Sequence, residues 1–343
     1  MPKNAGSKHN TPVAERSAGQ PASIRDVARL AGVSISSVSR ALNPGTGKVS
    51  AATRLRVVRA AEELRYSPNH FGRALRSQNT NTYAFVLSSI QNNLYSAVAW
   101  ELERRISEMG AGMLIYTSNE DSATQDRCLE DAVSRQVAGL FFMCAVESDL
   151  LKPTVERGNC VFINRRVTSV PDVPFVGIDD EAAAREFFAT AARRIDGRIA
   201  IVHGPQSSDT SAKRLRGFLD IARELGCDIP EDAVVGSDLS IESGYTAASK
   251  LFGSQSFDAV FCGNDQIAYG VYRRCRELGL QVPNDVSLFG FDDNPLNEWL
   301  APWLSTVRVP YAAFAAASLD TMKTLNQGKS APGRILPYDL VLK

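Results

Sequence analysis

The sequence has little of what metal, redox and membrane chemistry require. Three histidines, His9, His70 and His203, stand among 343 residues, and none has a histidine or cysteine partner at ligand spacing, so no metal is expected. The six cysteines (Cys128, Cys144, Cys160, Cys227, Cys262 and Cys275) form no CxxC pair, and most lie in apolar runs such as 140–145. They read as small buried residues of a reduced, cytoplasmic protein. No apolar run reaches membrane-spanning length, and residues 1–21 are polar and lack the apolar stretch of a signal peptide, which marks them as a disordered leader. There is no P-loop, no GxGxxG and no GxSxG, so no cofactor and no catalytic residue is assigned.

What is present is a charge asymmetry hidden by a formal net charge of +0. Residues 1–80 carry 13 Lys or Arg against 4 Asp or Glu, and the remainder carries 25 against 34. A basic head on an acidic body points to a polyanion that meets the head alone. At 343 residues with 44% hydrophobic content, the chain is also too long for one compact domain.

The head reads as three short helices over 22–68. Ser23 caps the first, with Asp26 three residues on and Ile24, Val27, Ala28 and Ala31 at helical spacing until Gly32. Ser34 caps the second, which turns Val38, Ala41 and Leu42 inward and Ser36, Ser37, Ser39 and Arg40 outward. Ser50 caps the third, with Leu55, Val58, Ala61 and Leu64 as its expected apolar stripe. This is the helix-turn-helix layout, in which small side chains let the second helix sit deep in a major groove. Arg40 can fork onto guanine, Ile35 can meet a thymine methyl, and Arg25, Arg29, Lys48, Arg54, Arg56 and Arg59 are placed for phosphates. A three-helix bundle that binds protein is the alternative. Residues 69–80 follow as a hinge and linker: Asn69 can cap a short helix in which Leu75, flanked by Arg73 and Arg76, suits a minor-groove wedge.

From Tyr83 short apolar strands alternate with amphipathic helices, first over 83–143 and again over 179–291. That succession predicts α/β architecture, two lobes of doubly wound parallel sheet with ligand bound at the strands' carboxyl ends. Polar residues fall at those ends: Asn164-Arg165, Asn264-Asp265 and Asp292-Asp293, with Arg214 near the start of a helix. They suit a hydroxyl-rich ligand, and Arg165, Arg166 and Arg214 leave room for an acidic or phosphorylated one. Each is also a reasonable helix cap or turn residue.

The run Ser23-Ile24-Arg25-Asp26-Val27-Ala28 through Gly32-Val33-Ser34, then Ser37-Val38-Ser39-Arg40-Ala41-Leu42-Asn43 and Tyr66-Ser67-Pro68-Asn69, resembles the head of the LacI/GalR family of bacterial regulators. Arg214-Leu215-Arg216-Gly217-Phe218, Gly263-Asn264-Asp265 and Gly290-Phe291-Asp292-Asp293 extend the resemblance over nearly the whole chain from Ala22. It implies a repressor whose head (Arg25, Ser34, Ile35, Ser36, Ser37, Ser39, Arg40, Asn43, Arg54) and hinge (Asn69, Leu75, Arg76) bind a palindromic double-stranded operator. It also implies a periplasmic-binding-protein-like core at 81–343. Asn164, Arg165, Arg214, Asn264 and Asp292 would hold an effector, a sugar or sugar derivative, with Leu239 and Tyr311 as walls. By the same analogy the first lobe spans about 81–178 and 310–326 and the second about 179–308 and 328–343. The chain would act as a homodimer, with no terminal leucine heptad to build a tetramer and no membrane contact. Substitution of Arg214 or Asp292 would then abolish the effector response and spare DNA binding. Three departures bear on this, one of them Arg194-Ile195-Asp196-Gly197 in place of the family's usual Gly-His pair before a strand. Gly72 replaces the family's usual Ala in the hinge, and Leu239 replaces its usual aromatic. The rivals are an enzyme using the acidic pairs and a solute-binding protein without a role in transcription.

Overall fold

The computed structural model describes residues 22–42, 49–66, 80–195, 197–253 and 255–343, and the chain divides into two compact units with the boundary after Arg76. In the head, α1 (Ile24–Ala31) opens on a capping box: the Ser23 hydroxyl accepts the Asp26 N–H while the Asp26 carboxylate accepts the Ser23 N–H at 3.0 Å. Gly32, at φ 62°, ends it in the left-handed conformation that glycine tolerates. Ser34 accepts the Ser37 N–H at 3.2 Å and starts α2 (Ile35–Leu42); Ser50 accepts the Thr53 N–H at 3.2 Å and starts α3 (Ala51–Glu63). Val27, Ala28, Ala31, Val38, Ala41, Val57, Ala60 and Ala61 close the core.

The expected stripe on α3 needs correction. Val57, Ala60 and Ala61 face inward, Val58 is half-buried and Leu55 is 53% exposed. The set 57, 60, 61, 64 also has helical spacing, and its small residues let α3 lie against both α1 and α2.

The core unit holds two parallel sheets. In the first, β1 (Thr82–Leu87), β2 (Gly112–Thr117), β3 (Gly139–Phe142), β4 (Cys160–Ile163), β5 (Phe175–Gly177) and β11 (Arg334–Ile335) run in the order β11-β5-β4-β3-β1-β2. The second has β6 (Ile199–His203), β7 (Val234–Gly236), β8 (Ala259–Cys262) and β9 (Ser287–Phe289) in the order β7-β6-β8-β9. Both carry strand–helix–strand crossovers, as the alternation predicts: α4 (Asn93–Glu108), α5 (Ser122–Ser134) and α6 (Leu151–Arg157) in the first lobe, then α7 (Asp180–Ala192), α8 (Asp209–Glu224), α9 (Ile241–Leu251) and α10 (Asp265–Glu277). After the short α11 (Asn297–Leu300) and β10 (Thr306–Arg308), α12 (Tyr311–Asn326) returns to pack on α4 and the first sheet. The strand interiors are wholly apolar, as sheets covered on both faces require, and Phe261 stacks on Phe289 at 4.4 Å between ring centroids.

Residues 328–343, expected in the second lobe as a block, are shared between the two. Arg334 and Ile335 pair with Val176 and Gly177 on the edge of the first sheet, and only β12 (Asp339–Val341) pairs with β10. The exposed edge of β5 offers unpaired backbone groups that the passing chain satisfies, as in the Leu336 N–H to Gly177 carbonyl bond at 2.7 Å.

Helices α9 and α10 cross in near backbone contact because Gly244 and Gly270 face each other's helix. A Cβ at Gly270 would collide with the Ile241 carbonyl and the Tyr245 amide, and one at Gly244 with the Ile267 carbonyl. Backbone cannot move aside as a side chain can, so Gly270→Ala is expected to destabilise the core by roughly 1–3 kcal/mol or more. Urea unfolding of the purified variant measures this; an unchanged midpoint would mean that the helices separate freely.

Candidate functional site

The exposed face of α2 carries Ser34, Ile35, Ser36 and Arg40, with Ser37 and Ser39 half-buried beside them. Ile35 is 40% exposed although apolar, on a helix whose Val38 and Ala41 are buried. Arg40 folds back along its own helix, its Nε donating to the Ser36 carbonyl at 3.1 Å, which keeps the guanidinium over the serine face. Arg25, Arg54, Arg56 and Arg59 are exposed on the flanking helices. Asn43, Lys48, Asn69, Leu75 and Arg76 lie outside the described residues.

In the core a cleft of about 330 Å³ opens between the lobes at the carboxyl ends of the strands. The first lobe contributes Ser88, Ser89, Gln91, Asn92, Tyr95 and Glu120; the second contributes 238–242 and Gln266. Gln266 reaches across, its amide donating to the Gln91 carbonyl at 3.3 Å. A larger concavity of about 650 Å³ between α6 and the loop before β5 sits instead at the amino ends of β4 and β5, away from this edge.

Behind the cleft lies a buried ionic cluster. Arg214 Nε donates to Asp180 at 2.8 Å, and its Nη1 donates to Asp292 at 3.1 Å and to the Gly263 carbonyl at 2.9 Å. The guanidinium lies 3.7 Å over the Phe291 ring. Burial pushes the Asp292 carboxyl up to about 6, the attraction of Arg214 offsetting only part of the lost hydration. Tyr311 donates its hydroxyl to the Asp292 carbonyl. Next to it, Asp265 accepts the Asn294 N–H at 2.8 Å, the Asn297 amide at 2.7 Å and the Thr306 hydroxyl at 2.7 Å.

Of the seven residues expected at the effector site, Leu239 lines the open cleft. Arg214, Asp292 and Tyr311 are brought together behind it. Asn264 caps α10 through its Oδ1, as its helix-cap reading has it, and donates to the Leu239 carbonyl at 3.2 Å. Arg165 pairs with Glu120 at 2.9 Å, and Asn164, 4% exposed, has a buried Oδ1 with no partner. Three of the seven hold positive φ without being glycine: Asn164 at 65°, Leu239 at 73° and Asp292 at 107°. Such backbone costs on the order of 1–3 kcal/mol per residue and gathers at ligand sites. Sequence reasoning missed Asp180, Glu120, Tyr95 and Gln266. Only Asp180, where the strand–helix alternation resumes, had any positional signal.

A helix-turn-helix head joined to a two-lobed, cleft-bearing core defines a DNA-binding, ligand-responsive regulator. Residues 23–69 match the model of bacterial regulatory proteins of the lacI family, and residues 193–342 match the periplasmic binding protein-like domain. The chain is 32% identical to the HTH-type transcriptional regulator DegA of Bacillus subtilis (strain 168), over 93% of this chain and 96% of that one. It is 31% identical to the ribose operon repressor of Escherichia coli (strain K12), over 88% and 92%. Among solved structures, the lac repressor dimer bound to operator and the anti-inducer ONPF superposes with a TM-score of 0.84 at 25% identity, over 94% of this chain and 98% of that one. The chain belongs to the lacI family of bacterial regulatory proteins. It is therefore a DNA-binding transcriptional regulator, and its relatives are regulators rather than enzymes. Among the described residues no helix is long and apolar enough to cross a membrane.

Proposed function

We propose that this regulator is a cytoplasmic repressor that binds a palindromic operator as a homodimer and changes its operator affinity when a sugar or sugar derivative enters the cleft between its core lobes. The observation that carries the reading is the exposed face of α2, where an apolar side chain and an arginine stand among serines over a packed three-helix core. Ile35, Ser36 and Arg40 read bases; Arg25, Ser34, Ser37, Ser39, Asn43 and Arg54 complete the DNA contacts of the head; Asn69, Leu75 and Arg76 serve the hinge. Two relatives, a ribose operon repressor and a lac repressor dimer on its operator, support repression, dimerisation and a sugar effector.

In the core, Asn164, Arg165, Arg214, Leu239, Asn264, Asp292 and Tyr311 form the effector site directly or through the cluster behind it. The cleft is lined by both lobes and bridged by the Gln266 to Gln91 bond, so a ligand that spans it selects one lobe arrangement. It shifts operator affinity only by the ratio of its affinities for the two arrangements.

The test is selection of an operator from random duplexes with the full chain, then comparison with Arg40→Ala on operator and on random DNA at one salt concentration. Losing a forked contact to guanine is expected to weaken operator binding by about 1–3 kcal/mol while random DNA changes little. Equal losses on both would remove Arg40 from base reading.

A further inference from the structure

The charges around the interlobe cleft select against anions. The cleft wall includes Glu120, Asp238 and Glu242 and neither lysine nor arginine. Of the three arginines that the sequence places near it, two are paired with carboxylates and the third stacks on a ring away from the cleft wall. Arg165, with its side chain 8% exposed, is paired with Glu120; Arg214 is held between Asp180 and Asp292; Arg166 lies 4.2 Å over the Phe175 ring. Arg165 and Arg214 are thus already committed to carboxylates, and Arg166 is not part of the cleft wall. At the same carboxyl edge of the first sheet, beside Arg165, the buried Asn164 Oδ1 is an acceptor with no donor. Such a group calls for a hydroxyl or ammonium donor, which a phosphate or carboxylate group cannot itself supply.

We propose that the effector is a polyhydroxyl compound that is uncharged or bears a protonated amine, and that the cleft excludes phosphorylated and carboxylated sugars. This rests on the reading that the effector sits between the lobes. Two physical effects act in the same direction. Carboxylates at the rim of a cleft with low-dielectric walls lower the local concentration of anions and raise that of cations. Within it, an anion must compete with Glu120 for Arg165, and displacing Glu120 leaves a carboxylate partly buried without its partner. The pair is thus a gate on charge, open to neutral ligands and closed to anions.

The experiment follows the melting temperature of the full chain with two probe sets. The first holds the skeleton fixed and varies charge: glucose, glucosamine, glucose 6-phosphate and gluconate, with the corresponding ribose series. The second is inorganic phosphate, titrated against wild type, Glu120→Gln, and Asp238→Asn/Glu242→Gln, whose two sites are exposed and whose asparagine oxygen can still accept the Ser240 N–H. In wild type, inorganic phosphate is expected to have no effect, and each anionic sugar to bind at least about tenfold more weakly than its neutral or amino counterpart. That tenfold corresponds to about 1.4 kcal/mol. Glu120→Gln frees Arg165 and should gain a phosphate response, which Arg165→Gln in the same background abolishes; the rim variant should narrow the tenfold gap.

An anionic sugar that binds wild type as well as its neutral parent overturns the proposal, as does wild-type stabilisation by phosphate that Arg165→Gln removes. It is likewise overturned if neither Glu120→Gln nor the rim variant improves anion binding. Failure of the underlying reading looks different. A sugar that stabilises wild type equally in Leu239→Trp, where the cleft is filled, binds elsewhere, whatever its charge.

Discussion

Arg214→Leu is expected to lower the stability of the core by about 3–5 kcal/mol, which for a unit of this size is roughly 6–20 °C in melting temperature. The side chain is buried, and it is the cationic partner of two carboxylates, Asp180 and Asp292, that are also buried. A buried ion pair contributes little relative to an apolar replacement of the whole cluster, but removing one member strands the others without compensation. The Gly263 carbonyl loses its donor as well. This adds to the outcome the sequence suggests, in which the arginine is a ligand contact whose loss abolishes the effector response and spares DNA binding. Thermal and urea unfolding of the full chain, followed at the core, measure the loss. Arg214→Leu combined with Asp180→Asn and Asp292→Asn should recover much of the loss, because amides tolerate burial better than unpaired carboxylates. A single variant that melts like wild type would mean that the two aspartates are already neutral in the fold. Arg214→Lys should fall between: its one ammonium cannot span Asp180, Asp292 and Gly263 as the planar fork does.

The same arginine shows how far the sequence can be read. Its resemblance-based place near the ligand and its structural place behind the cleft are compatible, but the partner Asp180 lies 34 residues away on another helix and carries no periodic signal. Local rules did well where local chemistry decides. Ser23 with Asp26, Gly32, Ser34 and Ser50 mark the head's helices because caps and left-handed turns are set within four residues. The strand–helix alternation marks the parallel sheets for the same reason. Where two apolar sets share helical spacing, as on α3, the tertiary neighbours choose, and Val57 wins over Leu55. The β11 strand, two residues long, is defined by the free edge of β5 and has no pattern of its own. Glu120 was invisible because its role is to occupy Arg165, and occupation by a residue 45 positions distant is a tertiary fact. Leu239 was legible as a wall, though not the φ of 73° that presents it.

Asp265→Asn is expected to remove a pH dependence from core stability while leaving the fold intact. Burial, with the charge of Asp292 adding to it, pushes the Asp265 carboxyl up to about 7. An aspartate in the unfolded chain titrates near 3.9. Between these values the folded state holds a proton that the unfolded state has released, so the native state binds more protons and stability falls as pH rises. The window therefore runs from about pH 4 to about pH 7, and above it the folded protein carries the full cost of a buried charge. For this one group that cost is about 4 kcal/mol. Asp292 and Asp180, also raised by burial, tilt the curve the same way, so the informative quantity is the difference between wild type and variant. Asparagine fits the contacts: its oxygen can keep the Asn294 and Asn297 donors, and its amide can donate to the Thr306 hydroxyl, which then loses its own acceptor at a pH-independent cost of about 1 kcal/mol. Urea unfolding of both proteins at intervals from pH 4 to pH 8 should give curves that diverge steadily, with the variant gaining relative to wild type as pH rises. Parallel curves would place the Asp265 titration outside this window and remove it as a source of the slope.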